Sequence, residues 1–188
     1  MAPPAEAADV PRRLGMGPGQ RIIQHAWVVP SIDAAARAWA EATGIGPFLA
    51  LRHVQVGRPR HRGRPQATDF SVAVAQAGEV QVELVEQHDA SPSCYRDSVA
   101  AGSAGFHHVA VMSADYEREL ARLTAGGAEV AADGIFGDLR FAYVDLRPAI
   151  GCMVELVEDT PTIRAWFARI RSAAEGWDGQ GPALIEAG

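Results

Sequence analysis

The chain lacks the features that would place it in several large functional classes. Basic residues are not in excess: 17 Lys plus Arg stand against 23 Asp plus Glu, for a net charge of −6. A nucleic-acid partner normally requires a basic face, so that class is set aside. No apolar run approaches the roughly 20 residues needed to span a bilayer. "MAPPAEAADVPRR" (1–13) has no apolar signal core, so residues 1–20 are expected to form a flexible leader and the protein to be cytoplasmic. Cysteine is scarce. Cys94 and Cys152 stand apart, without C-x-x-C spacing, and are expected to be reduced, structural thiols. "GMGPGQ" (15–20) is rich in glycine but precedes a strand pattern rather than a helix, which excludes a phosphate loop.

What is present is a repeat. At 188 residues, 48% hydrophobic and 21% charged, the chain can build one compact domain or two small fused modules. "RIIQHAWVV" (21–29) reads as a strand closed by Pro30. "SIDAAARAWAEATG" (31–44) reads as a helix with Ser31 as N-cap and Gly44 as stop. Strand patterns follow at 48–56, 69–75 and 79–86, the last two joined by a "QAG" hairpin turn. After a bridging segment (88–105) the order restarts. "FHHVAVM" (106–112) is a strand, and 113–127 is a helix with Ser113 as N-cap and a Gly-Gly stop. Three further strands end in "CMVELVE", and "TPTIRAWFARIRSAAEG" (160–176) closes as an amphipathic helix with Pro161 in its first turn. The expected fold is therefore α+β: two βαβββ modules, 21–87 and 106–158, forming a cupped mixed sheet with helices outside. Residues 159–188 form a C-terminal helix and tail.

The repeat extends to single residues. "QHAWVV" matches "HHVAVM", and "VELVE" ends both halves. His25 and Glu83 lie 58 positions apart and His108 and Glu155 lie 47 apart; an inserted loop, "RPRHRGRPQAT" (58–68), accounts for the difference. Strand parity puts Glu83 opposite Val82 and Leu84, and Glu155 opposite Val154 and Leu156. Those apolar residues must cover the helices, so both glutamates look into the cup. His25, alternating with Ala26 and Val28, and His108, alternating with Val109 and Val111, are assigned to the same face. His107 falls on the other parity, facing a helix or backing the ligands. A lone strand histidine is commonly a core or surface residue, but two at equivalent repeat positions with two equivalent glutamates point to a divalent metal site.

This order, with His at the start and Glu at the end of each half, resembles the vicinal oxygen chelate superfamily, which includes glyoxalase I, methylmalonyl-CoA epimerase, bleomycin resistance proteins and extradiol dioxygenases. The resemblance covers about residues 21–158 and implies His25, Glu83, His108 and Glu155 as ligands of a divalent metal (Ni, Co, Mn, Zn or Fe). That set is similar to bacterial glyoxalase I; epimerases often carry Gln at the position of Glu83, and dioxygenases use three protein ligands. The implied function is a metal-dependent isomerase, epimerase or lyase that chelates a small oxygenated substrate and removes a proton next to a carbonyl, with Glu155 as first choice of base and Glu83 as second. A binding or resistance protein without catalysis and a ring-cleaving dioxygenase are the alternatives. Tyr95 and Arg96, in "SPSCYRDSV" (91–99), either line the cup mouth for substrate or belong to a packed bridging helix. The arginines at 58, 60, 62 and 64 are either solvated surface or a rim attracting an anionic substrate. Trp177 is expected to anchor the tail. The cup can close within one chain or by module exchange in a homodimer; the only other expected partner is a small molecule.

Overall fold

A computed structural model describes residues 21–187; the leader expected over 1–20 lies outside them. Strand β1 (Ile22–Val28) leads to helix α1 (Ile32–Thr43), whose Ser31 cap accepts from the Ala34 N–H at 3.3 Å. Gly44 ends α1 in the left-handed region at φ 73, and its N–H reaches the Ala40 carbonyl. Strands β2 (Phe48–Leu51), β3 (Gly57–His61), β4 (Arg64–Pro65), β5 (Phe70–Ala77) and β6 (Val80–Gln87) complete the first half. The short helix α2 (Cys94–Ser98) bridges to β7 (Gly105–Ser113), α3 (Tyr116–Thr124), β8 (Val130–Phe136), β9 (Leu139–Val144), α4 (Arg147–Ile150) and β10 (Met153–Glu158). Helix α5 (Pro161–Glu175) and strand β11 (Leu184–Glu186) follow.

The strands form one 11-stranded mixed sheet, ordered β11-β2-β5-β6-β1-β7-β10-β9-β8-β3-β4. The two halves meet where β1 pairs antiparallel with β7. In the first half Ala26 lies beside Glu83, and in the second Ala110 lies beside Glu155. This register defines the pseudo-twofold. Val82 and Leu84 pack with Ile32 and Ala36 of α1, and Val154 and Leu156 with Tyr116 and Leu123 of α3, so both helices cover the outer face as parity requires.

Three local expectations are corrected. Helix α3 starts at Tyr116 with Asp115 as its cap; Ser113 instead accepts from the Asp115 N–H at 3.1 Å, forming a turn before the helix. Strand β2 stops at Leu51 because Arg52 turns into ion pairs with Asp33 (2.8 Å) and Glu186 (2.9 Å), and His53 takes φ 47. The inserted loop is a hairpin, β3–β4, that crosses to the far half and pairs with β8. It passes so closely that a Cβ on Gly134 would stand 2.4 Å from Val56.

The C-terminal helix lies across the concave face rather than outside. Its apolar stripe, Ile163, Trp166, Phe167 and Ile170, follows i, i+3, i+4, i+7 spacing. Ile170 packs on Leu49 and Val74 of the first half, and Ile163 on Leu139 and Val157 of the second. Helix α5 is thus a roof spanning both halves. Trp177 packs against Gly46, where a Cβ would come within 2.6 Å of the indole. Ile170 is fully buried. Ile170→Ala should therefore destabilise the whole protein by about 2–5 kcal/mol in a single urea transition; a change below about 0.5 kcal/mol would mean that α5 is not part of the core.

Candidate metal centre

Two register shifts in the β1–β7 ladder set up the centre. Trp27 faces Phe106 and Ala26 faces His108, so His107 is an extra residue in β7; Ile22 faces Val111 and Gln24 faces Ala110, so Ile23 is an extra residue in β1. These are β-bulges related by the pseudo-twofold. The bulge at His107 breaks the alternation of β7. Both imidazoles therefore enter the interior, and His107 is buried between His108 and the first turn of α2.

His108 Nε2 stands 3.3 Å from Glu83 Oε2 and 3.3 Å from Glu155 Oε2, all three side chains being buried or nearly so. Their donor atoms lie within 4.8 Å of one another. At these separations His108 Nε2 and Glu83 Oε2 still make no hydrogen bond to any described residue, which leaves two buried polar atoms unsatisfied. Burial raises the proton affinity of Glu83 against the pull of His108, and the Glu155 charge raises it further. Burial alone would lower the pKa of His108, but Glu155 and Glu83 outweigh it and carry it up to about 9. The cluster thus attracts positive charge strongly. One imidazole nitrogen and two carboxylate oxygens form a donor set that suits Mn, Fe, Co, Ni or Zn as divalent ions.

The second histidine fixes the first. His107 Nε2 lies 3.0 Å from the Cys94 carbonyl, which can only accept, so this nitrogen carries the proton. Burial, reinforced by His108, pushes His107 down to about 3, so it stays neutral and its Nδ1 keeps a lone pair. His108 Nδ1 is 2.8 Å from that lone pair and donates to it. With its Nδ1 proton held there, His108 presents Nε2 between the two carboxylates; a divalent cation in place of the Nε2 proton would leave the tautomer that metal ligation requires.

His25 does not join the cluster. Ala26 and Val28 face the interior, where Val28 packs with Tyr95 and Tyr143, so the intervening His25 and Trp27 look outward. His25 is half-buried against Phe106, at 6.3 Å between ring centroids. The residue equivalent to His108 is Gln24, buried beside Glu83 and Glu155 along one cavity. Tyr95 is buried, with its hydroxyl 3.5 Å from that of Tyr143, whose ring stands 5.0 Å from the His108 ring. Sequence reasoning misses Tyr143; its place on a strand beside Glu155 is the signal that could have found it. Arg96 donates to the Gln87 carbonyl at 3.2 Å, at the end of β6. The basic hairpin is largely neutralised. Arg60 pairs with Asp133, and Arg62 pairs with Asp97 (2.8 Å), Asp145 (3.0 Å) and Glu129, leaving Arg58 and Arg64 exposed.

The three-residue cluster and the relay behind it separate three outcomes. At matched free metal, His108→Ala should lose most bound cation and His25→Ala should keep one equivalent. His107→Ala should keep the equivalent only at about 10–100-fold higher free metal. Elemental analysis and metal titration check this; loss from His25→Ala equal to that from His108→Ala would contradict the placement.

Comparison with known proteins agrees with the architecture. A hypothetical protein from Bacillus halodurans C-125 superposes with a TM-score of 0.55 at 17% identity, covering 76% of this chain and 96% of its own. Methylmalonyl-CoA epimerase from Mycobacterium tuberculosis gives 0.48 at 17% identity, covering 76% of this chain and 90% of that one. A variant of Streptomyces coelicolor methylmalonyl-CoA epimerase, in complex with 2-nitronate-propionyl-CoA, gives 0.47 at 18%, covering 75% and 95%. At 17% identity, the superposition on the Bacillus halodurans protein shows a likeness of fold alone. No curated protein sequence matches the chain. A sequence model of the Glyoxalase/Bleomycin resistance protein/Dioxygenase superfamily matches residues 23–143, which include Glu83 and His108 but stop before Glu155 and α5. With more than half of its length matched and the duplicated cup in place, the chain belongs to the glyoxalase/bleomycin resistance protein/dioxygenase superfamily.

Proposed function

We propose that the protein is a metal-dependent enzyme of the glyoxalase type, which holds a small substrate with two adjacent oxygens and removes a proton next to its carbonyl. The observation that carries this reading is the unsatisfied Nε2 of His108, the ring nitrogen not engaged by His107, held between two buried carboxylates. When bound, a divalent cation supplies Lewis acidity to the substrate oxygens and so acidifies the neighbouring C–H. His108, Glu83 and Glu155 would hold it, with Gln24 at the remaining equivalent position.

The chain's own residues supply the proton transfer. Glu155 on β10 and Glu83 on β6 come from opposite halves of the sheet and flank the same nitrogen, each at 3.3 Å. Glu155 is the proposed base and Glu83 the second carboxylate. Return of the proton by the other carboxylate, on the opposite face, gives epimerisation; return by the same one, at the neighbouring carbon, gives isomerisation. Loss of a leaving group gives a lyase. Burial raises Tyr95 and Tyr143 well above the ordinary phenol value, so both hydroxyls remain protonated and able to donate to a substrate oxygen. The roof formed by α5 also supports a second reading, in which the closed cup sequesters a ligand without turning it over.

One experiment separates the readings. Metal-loaded protein is incubated in D2O with 2-hydroxyacetophenone, which offers two adjacent oxygens and an enolisable carbon, and followed by proton NMR. Catalysed loss of the CH2 signal is expected, with Glu155→Gln slower by about 10²–10⁴-fold and chelator-treated protein inactive. Saturable binding without exchange would support sequestration. Turnover of catechol with stoichiometric oxygen uptake would replace the proposal with ring cleavage.

A further inference from the structure

The cavity above the three donors is small and is lined by no basic side chain among the described residues. It has a volume of about 110 Å³, well below the roughly 300–1,000 Å³ of ordinary ligand pockets. Its ceiling is Ile163, Trp166 and Phe167 of α5, and its walls are mainly Val, Leu and Phe side chains. Among the described residues, the polar groups lining it are Gln24, Tyr95, Tyr143 and the two glutamates. The chain contains no lysine at all. Below Phe70, Tyr95 and Phe141 the cavity adjoins an outer chamber of about 440 Å³, which shares Val54, Val56 and Tyr143 with it. The basic side chains on that chamber's wall already have carboxylate partners: Arg60 pairs with Asp133, His53 lies 2.7 Å from Asp69 and His61 3.1 Å from Asp97. A phosphate or carboxylate on the substrate body would therefore lose its hydration without meeting a free cation.

We propose that the centre selects a compact chelator with an uncharged, apolar body, such as an aryl or short alkyl hydroxyketone, entering by the outer chamber with its two oxygens toward Glu83, His108 and Glu155. Large anionic conjugates, including coenzyme A and glutathione adducts, are excluded by the α5 roof and because the basic side chains lining the outer chamber are already paired with carboxylates. The roof is a feature of this chain beyond the superfamily match, which ends at residue 143. This inference rests on the metal-centre reading and deepens it.

Three hydroxamates share one chelating head and differ in body: benzohydroxamate, phosphonoacetohydroxamate and 2-naphthohydroxamate. Each is titrated into the Zn-loaded full chain by calorimetry and by quenching of Trp166 fluorescence, with affinities compared against those for aqueous zinc. Benzohydroxamate should bind at least about tenfold tighter than the phosphonate. Its quenching, but not its heat, should largely vanish in Trp166→Phe. Naphthohydroxamate should bind weakly to the native protein and gain at least about tenfold over benzohydroxamate in Phe167→Ala, or in Phe167→Leu if the alanine variant does not fold. Equal or tighter binding of the phosphonate, or a size preference unchanged by both Phe167 variants, would overturn the inference while leaving the metal centre standing. Failure of the protein to take up one zinc equivalent overturns the metal-centre reading itself, and this inference with it.

Discussion

The arrangement depends on one buried nitrogen that makes no hydrogen bond. Nε2 of His108 sits between two carboxylates in an interior where every unmatched polar atom costs stability. Leaving it as the nitrogen open to a cation requires a proton on Nδ1, an acceptor for that proton on His107, and the Cys94 carbonyl to hold His107 in the matching tautomer. The bulge in β7 follows from the same need, since ordinary alternation would send one of two adjacent imidazoles to the helices. Helix α2 follows as well. Ser93 caps it, accepting from the Arg96 N–H at 3.1 Å and donating to Gln87 at 2.6 Å, and so fixes the first turn from which Cys94 presents its carbonyl.

The two halves of the sheet are alike in backbone and unlike in chemistry. Equivalent positions carry Gln24 and His108, Ile23 and His107, Val74 and Tyr143; only Glu83 and Glu155 are preserved as a pair. The second half thus supplies the histidine, the residue behind it and the phenol, while the first supplies a carboxylate and an amide. The first half adds the strap and hairpin of residues 52–65, which close the cup from one side, and the C-terminal helix closes it from above. Enclosure raises the strength of every charge interaction inside, and it also limits what can enter.

Much of this is legible in the sequence. Helix α1 and its two caps, the tandem modules and the inward glutamates follow from local patterns, because caps and strand alternation act over a few residues. His25 is misplaced by the repeat for a physical reason: a strand has a period of two, so matching "QHA" to "HHV" one residue out of register turns the side chain to the other face. The correct match sets Gln24 against His108. The bulges that would reveal it exist only in the pairing between β1 and β7. The pairing of Arg60 and Arg62 is hidden because their acidic partners lie 35–83 residues away along the chain. The apolar stripe of α5 announces that one face is buried but carries no sign of which layer receives it.

A cation held between His108, Glu83 and Glu155 would have one imidazole and two carboxylates around it, drawn from both halves of the cup. X-ray absorption at the zinc or cobalt edge of the loaded protein tests it most directly, since imidazole rings give a distinct outer-shell scattering pattern. The expected result is a first shell of oxygen and nitrogen with a single imidazole, and loss of that imidazole signal in His108→Ala. Two imidazoles, or one that survives in His108→Ala, would contradict it.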